Sequence, residues 1–126
     1  MKNRCFALFL FLVGLLHSFQ CKKETTDSFC TIQRTTYTKI NNKEGVIIYS
    51  YKYKRYAVSL SVANANNIDS QIIGFVCQIN PEFQTVGLKV IVSGIIKKFN
   101  SNENMTPEIA GQDLYYFQPT QIIKKA

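Results

Sequence analysis

Residues 88–99 read LKVIVSGIIKKF. The run is rich in Val and Ile and reads as one long β-strand with Gly94 in its interior. A glycine inside a strand weakens it unless the backbone must bend there or pass close to another segment. Gly94 therefore marks a bulge or the corner of a barrel. Toward the C-terminus, NSNENMTPEIAG (100–111) is the longest loop and DLYYFQPTQII (113–123) a closing strand. Pro119 in that strand cannot donate a ladder hydrogen bond and predicts an edge or a bulge.

Working back from Leu88, PEFQTVG (81–87) has room for one helical turn with Pro81 as its first residue. IIGFVCQI (72–79) is a nearly continuous apolar strand, and ANANNIDSQ (63–71) is a loop. FCTIQRTTYTKI (29–40) reads as a first strand region, with NNKEG (41–45) as its turn. In VIIYSYKY (46–53), Ile47, Tyr49, Tyr51 and Tyr53 share one parity. In YAVSLSV (56–62), Tyr56, Val58, Leu60 and Val62 share the other. Side chains alternate faces along a strand, so this change of phase requires a bulge or tight turn near Lys54 and Arg55. The reading predicts a row of inward tyrosines, Tyr49, Tyr51 and Tyr53, joined by Tyr56 past the switch.

Strands of this number in about 100 residues, with almost no helix, predict one small all-β domain. The block from INPEFQTVGLKVIVSGIIKKF through GQDLYYFQPTQI resembles small exported bacterial proteins with an oligonucleotide/oligosaccharide-binding (OB) type barrel. In those, G-L-K-V-x-V-S-G supplies a long bent strand after a short helical segment. The likeness covers residues 72–123 and is weaker over 29–62. It implies a single-domain OB-like barrel over residues 29–126, with an immunoglobulin-like β-sandwich as the alternative.

The N-terminus carries an address. Lys2, Asn3 and Arg4 form a positive leader, followed by twelve uncharged residues, CFALFLFLVGLL (5–16). At about 1.5 Å per residue such a helix falls far short of a bilayer core, so a secretory signal over residues 1–20 is expected. Its end resembles the signal peptide of bacterial lipoproteins, in which the cysteine after the apolar run receives lipid. Here that cysteine is Cys21, with Ser18, Phe19 and Gln20 where the family has Leu and two small residues. The resemblance implies lipidation of Cys21, a polar tether over residues 21–28, and attachment to the bacterial envelope on its periplasmic side or outer surface.

Cysteine parity points the same way. Of the four cysteines, Cys5 would leave with the signal. If Cys21 takes the lipid, Cys30 and Cys77 remain as an even pair, whereas a chain that is simply secreted would keep an odd three in an oxidising compartment. A disulfide between them is expected, with both facing the barrel interior; two separately buried thiols are the alternative.

Loss of residues 1–20 takes the formal charge from +7 to +5, and with it goes His17, the only histidine. The remaining chain therefore has no Ser-His or Cys-His pair and no histidine-bearing zinc site. The carboxylates fall in predicted loops and at strand ends, where solvated surface charge is the default. No catalytic residue, metal ligand or cofactor is expected, and the chain is read as non-enzymatic. YSYKYKRY (49–56) interleaves rings with cations, the pattern that holds single-stranded nucleic acid. Tyr49, Tyr51, Tyr53, Lys52 and Arg55 form a candidate ligand face, although ordinary alternation in a strand produces the same pattern. Export removes the usual nucleic-acid partners, so the membrane and an envelope protein or glycan are the partners expected. A tethered binding module, a structural accessory protein and an inhibitor of an exported enzyme are the functional classes left open.

Overall fold

The computed structural model describes residues 27–62 and 70–126. The signal segment and Cys21 lie outside the described residues, as does most of the loop read over 63–71. The elements are α1 (Ser28–Thr31), β1 (Thr36–Ser50), β2 (Arg55–Val62), β3 (Ser70–Phe75), β4 (Lys89–Lys98) and β5 (Gln112–Lys124), with short 3-10 turns at Pro81–Phe83 and Ser101–Glu103. The strands close into one barrel in the order β1-β2-β3-β5-β4. All neighbours are antiparallel except β3 and β5, which run parallel from Gln71↔Gln112 to Phe75↔Tyr116. The domain is thus an all-β, OB-like barrel, and the two-sheet sandwich is not adopted.

Gly94 does what its place in the strand demanded. The β4–β5 register shifts between Ser93 and Gly94, and Gly94 stands opposite Pro119. A Cβ on Gly94 would collide with the Gln118 carbonyl oxygen and come within 2.8 Å of Pro119 Cα. The missing side chain lets two backbones close at the corner, and Pro119 sits where the ladder is interrupted anyway.

Alternation divides the apolar residues between two clusters. Ile47, Val58, Leu60, Val90, Val92, Ile96 and Phe117 meet inside the barrel. Val76, Ile79 and Phe83, from the β3–β4 connection, join the same cluster. Pro81 starts the turn that buries Phe83, as its sequence position suggested. Ala57, Ile73 and Phe75 have the opposite parity and form a second cluster on the outer face of β2 and β3. That cluster is covered by Phe29 of α1 and by Phe99 and Met105 of the β4–β5 loop.

Several local expectations are corrected. Residues 28–31 are helical rather than extended, with Asp27 as N-cap accepting from the Phe29 amide at 3.0 Å. Asp27 and Ser28, placed in the tether by sequence, therefore belong to the folded domain. NNKEG is no turn: β1 runs through it unbroken, pairing with β4 on both sides of a bulge between Ile40 and Lys43. Asn42 takes the left-handed backbone (φ 48) that absorbs the extra residue. β3 ends at Phe75, so Cys77 lies beyond the strand and Cys30 lies in α1. The Cys30–Cys77 disulfide is present, with Cα atoms 5.2 Å apart. It staples α1 to the segment after β3 instead of spanning the interior. The phase switch is a turn at residues 51–54, closed by Lys54 at φ 52.

Candidate binding cleft

β1 pairs with β2 only from Val46↔Ser59 to Ser50↔Arg55. Beyond that ladder the strands part, β1 (residues 36–45) toward β4 and β2 (residues 60–62) toward β3. The divergence opens a cleft of about 620 Å³. Ile40, Leu60 and Ile72 provide its apolar surface, while Ser61, Lys43 and Lys89 supply polar and cationic groups. Gly45 lets β1 pack closely on the β2 side chains at the point of parting, since a Cβ there would lie 2.5 Å from Val58 Cγ1 and 3.0 Å from Leu60 Cδ2. Glu44 is held by Lys125 (Nζ to Oε1 2.7 Å), whose hydrogen bond and charge lower its carboxyl below the usual range. Lys43 and Lys89 are in no ion pair among the described residues, so the rim is net positive.

The face that OB barrels ordinarily use, the outside of strands 2 and 3 between the β1–β2 and β4–β5 loops, is closed here by the chain itself. Tyr53 is the clasp. Its hydroxyl donates to the Thr106 carbonyl at 2.9 Å and accepts from the Thr106 amide at 2.8 Å. Burial would raise the Tyr53 pKa, but hydrogen bonds from Thr106 and Lys52 outweigh it and lower the net value. Ser50 adds a second tie, donating to Glu108 at 3.0 Å.

Arg34 locks the far part of the same cover. Its side chain is 1% exposed, and its guanidinium lies 4.3 Å from the Tyr116 ring centre and 4.7 Å from that of Phe29. Nε donates to both Glu103 oxygens at 3.1 Å and Nη2 to Oε1 at 2.6 Å. Burial pushes the Glu103 carboxyl up, yet Arg34 and the Asn100 amide hold it below its ordinary value. With Asp27 paired to Arg55, these carboxylates act as fasteners. Among the described residues no group of three His, Cys, Asp or Glu side chains could hold a metal ion.

The candidate ligand face read from YSYKYKRY is not assembled as one surface. Tyr49 and Tyr56 are half-buried and meet edge-on at 4.9 Å. Tyr56 packs against the barrel core, whereas Tyr53 turns to the outer cluster and meets Phe75 at 5.5 Å. Tyr51, expected inside, is 86% exposed. The strand ends at Ser50, and parity carries no information through the turn that follows. Lys52 reaches Thr106 Oγ1 at 2.7 Å, and Arg55 stacks over the Phe29 ring at 3.9 Å. The sequence does not show that Ile40, Lys43, Leu60, Ile72 and Lys89 line one cleft, because β1 and β2 part only where β1 turns to pair with the distant β4 and β2 stays with β3. The one local signal was the acid–base run at 41–45, which reads equally well as a solvated turn.

The fold and cleft define a class: a small, disulfide-stapled OB-like barrel whose usual ligand face is self-covered and whose open concavity lies between β1 and β2. The chain matches no protein-family model and no curated protein.

Proposed function

We propose that this is a lipid-anchored, non-enzymatic binding module of the bacterial cell envelope, held to the membrane by Cys21. In this reading the β1–β2 cleft receives an extended acidic segment of an envelope protein. The observation that carries it is the parting of β1 from β2. Past Val46 and Ser59 the facing edges of the two strands have no ladder partner among the described residues. Unpaired strand edges are templates for another strand. The apolar side chains at Ile40, Leu60 and Ile72 would bury alternate side chains of such a segment, and Lys43 and Lys89 would attract its carboxylates.

Titration with extended peptides of matched length, acidic against basic, tests the proposal by NMR shift mapping. Acidic peptides should perturb β1 residues 40–46 and β2 residues 59–61. Lys43→Glu with Lys89→Glu should abolish that binding while leaving the melting temperature close to wild type. Equal response to both peptides, or shifts confined to other faces, sinks the reading. Fatty-acid labelling of wild type but not Cys21→Ser tests the anchor separately.

A further inference from the structure

The turn at residues 51–54 is the point where an exposed ring and exposed cations coincide. Tyr51 is 86% exposed, and Lys52 and Lys54 beside it are exposed as well. Tyr51 touches the Tyr49 ring edge-on at 5.2 Å, which supports its base and leaves its outer part to solvent. A large amphipathic ring at a turn tip stabilises no core here.

The chain's N-terminal approach is pinned to the same place. Asp27, the first described residue, is ion-paired to Arg55, which directly follows the turn. The Phe29 ring lies under the Arg55 guanidinium. Six chain steps separate Cys21 from Asp27, so a fully extended link spans at most about 22 Å. Lys22 and Lys23 follow the anchor cysteine directly. Against the turn's cations stand Asp27, occupied by Arg55, and Glu108, held through Ser50. The tip remains cationic.

We propose that the 51–54 turn is the membrane-contacting tip of the barrel, with Tyr51 seated among lipid headgroups and Lys52 and Lys54 against the phosphates of anionic lipid. This rests on the reading of Cys21 as the anchor. Tyrosine settles at membrane–water interfaces because its ring is apolar and its hydroxyl is wet, and basic residues near an anionic surface are drawn to it. The tip thereby gives the tethered barrel an orientation. The β1–β2 cleft opens at the other end of the β1–β2 ladder from this turn, so it faces away from the bilayer and stays accessible.

The chain contains no tryptophan, so Tyr51→Trp introduces a single tryptophan that can be excited apart from the tyrosines. The lipidated full chain is reconstituted in phosphatidylglycerol-rich vesicles with brominated acyl chains. Tyr37→Trp, at the opposite end of β1, serves as the comparison. Emission from position 51 should be quenched and shifted to the blue, with position 37 unaffected. Adding Lys52→Glu and Lys54→Glu should return position 51 to the level of position 37. Equal quenching at both positions, or none at 51 in protein whose Cys21 carries lipid by mass spectrometry, overturns the orientation. Protein without lipid on Cys21 overturns the anchor reading and this one with it.

Discussion

Arg34 and Glu103, 69 positions apart in sequence, form a forked ion pair beneath the rings of Phe29 and Tyr116. The pair joins the segment entering β1 to the loop between β4 and β5, so it holds the cover over the outer cluster. Arg34 Nη1 has no hydrogen-bond partner among the described residues. Its charge is met by Glu103 and by ring faces alone.

Removing one member of so buried a pair strands the other. Glu103→Gln or Arg34→Met should cost about 3–5 kcal/mol, read from urea midpoints. A pH dependence accompanies this. The folded Glu103 carboxyl lies below its ordinary value of 4.5. A depressed carboxyl contributes stability that is fully present above the unfolded value and lost as pH falls through the folded one. Wild type should therefore lose stability progressively below about pH 4.5, and Glu103→Gln should flatten that slope. An unchanged slope would place the acid sensitivity elsewhere.

The disulfide closes a separation of 47 residues. In the chain-entropy model that contributes about 4 kcal/mol, a large share of the 5–15 kcal/mol typical of a small domain. Cys30→Ser with Cys77→Ser should lower the denaturant midpoint accordingly. Because the bond fixes α1 over the outer cluster, amide exchange at Phe29–Thr31 should accelerate more than exchange in β4. Uniform acceleration would mean that α1 does not open separately.

The tyrosines of YSYKYKRY should separate in thermal melts. Tyr51→Ala should change stability by no more than about 0.5 kcal/mol, as expected of an exposed position. Tyr53→Phe removes both hydrogen bonds to Thr106 and should cost about 0.5–1.5 kcal/mol for each bond lost. Tyr56→Ala removes a ring packed on the barrel core and should cost several-fold more than Tyr51→Ala. Equal losses at all three positions would restore a single tyrosine row.

Gly94→Ala places a methyl group against the Gln118 carbonyl and Pro119. The barrel must then shift at its corner, and a loss of about 1–3 kcal/mol or more is expected. Gly87, whose added Cβ would meet nothing within 4 Å but whose φ is +89, should suffer from backbone strain alone. An alanine at 94 that melts like wild type would show that β4 and β5 close with room to spare.

The all-β class was legible in local pattern: alternation in YAVSLSV, Pro81 opening a short turn, Gly94 inside LKVIVSGIIKKF, and a change of phase at Lys54. Each is a property of a few consecutive residues, and strand periodicity states which side chains share a face. It does not state what the face meets. NNKEG has turn composition, yet pairing with β4 keeps it in β1, because the closed ladder satisfies its backbone better than a reversal. Tyr51 shares the parity of Ile47 and still points into solvent, because the strand stops at Ser50. The meeting of Arg34 with Glu103, the parallel contact of β3 with β5, and the pairing of β1 with β4 that draws β1 away from β2 all join segments distant in sequence. Barrel closure brings them together, and closure is set by the summed pairing of every strand rather than by any one of them.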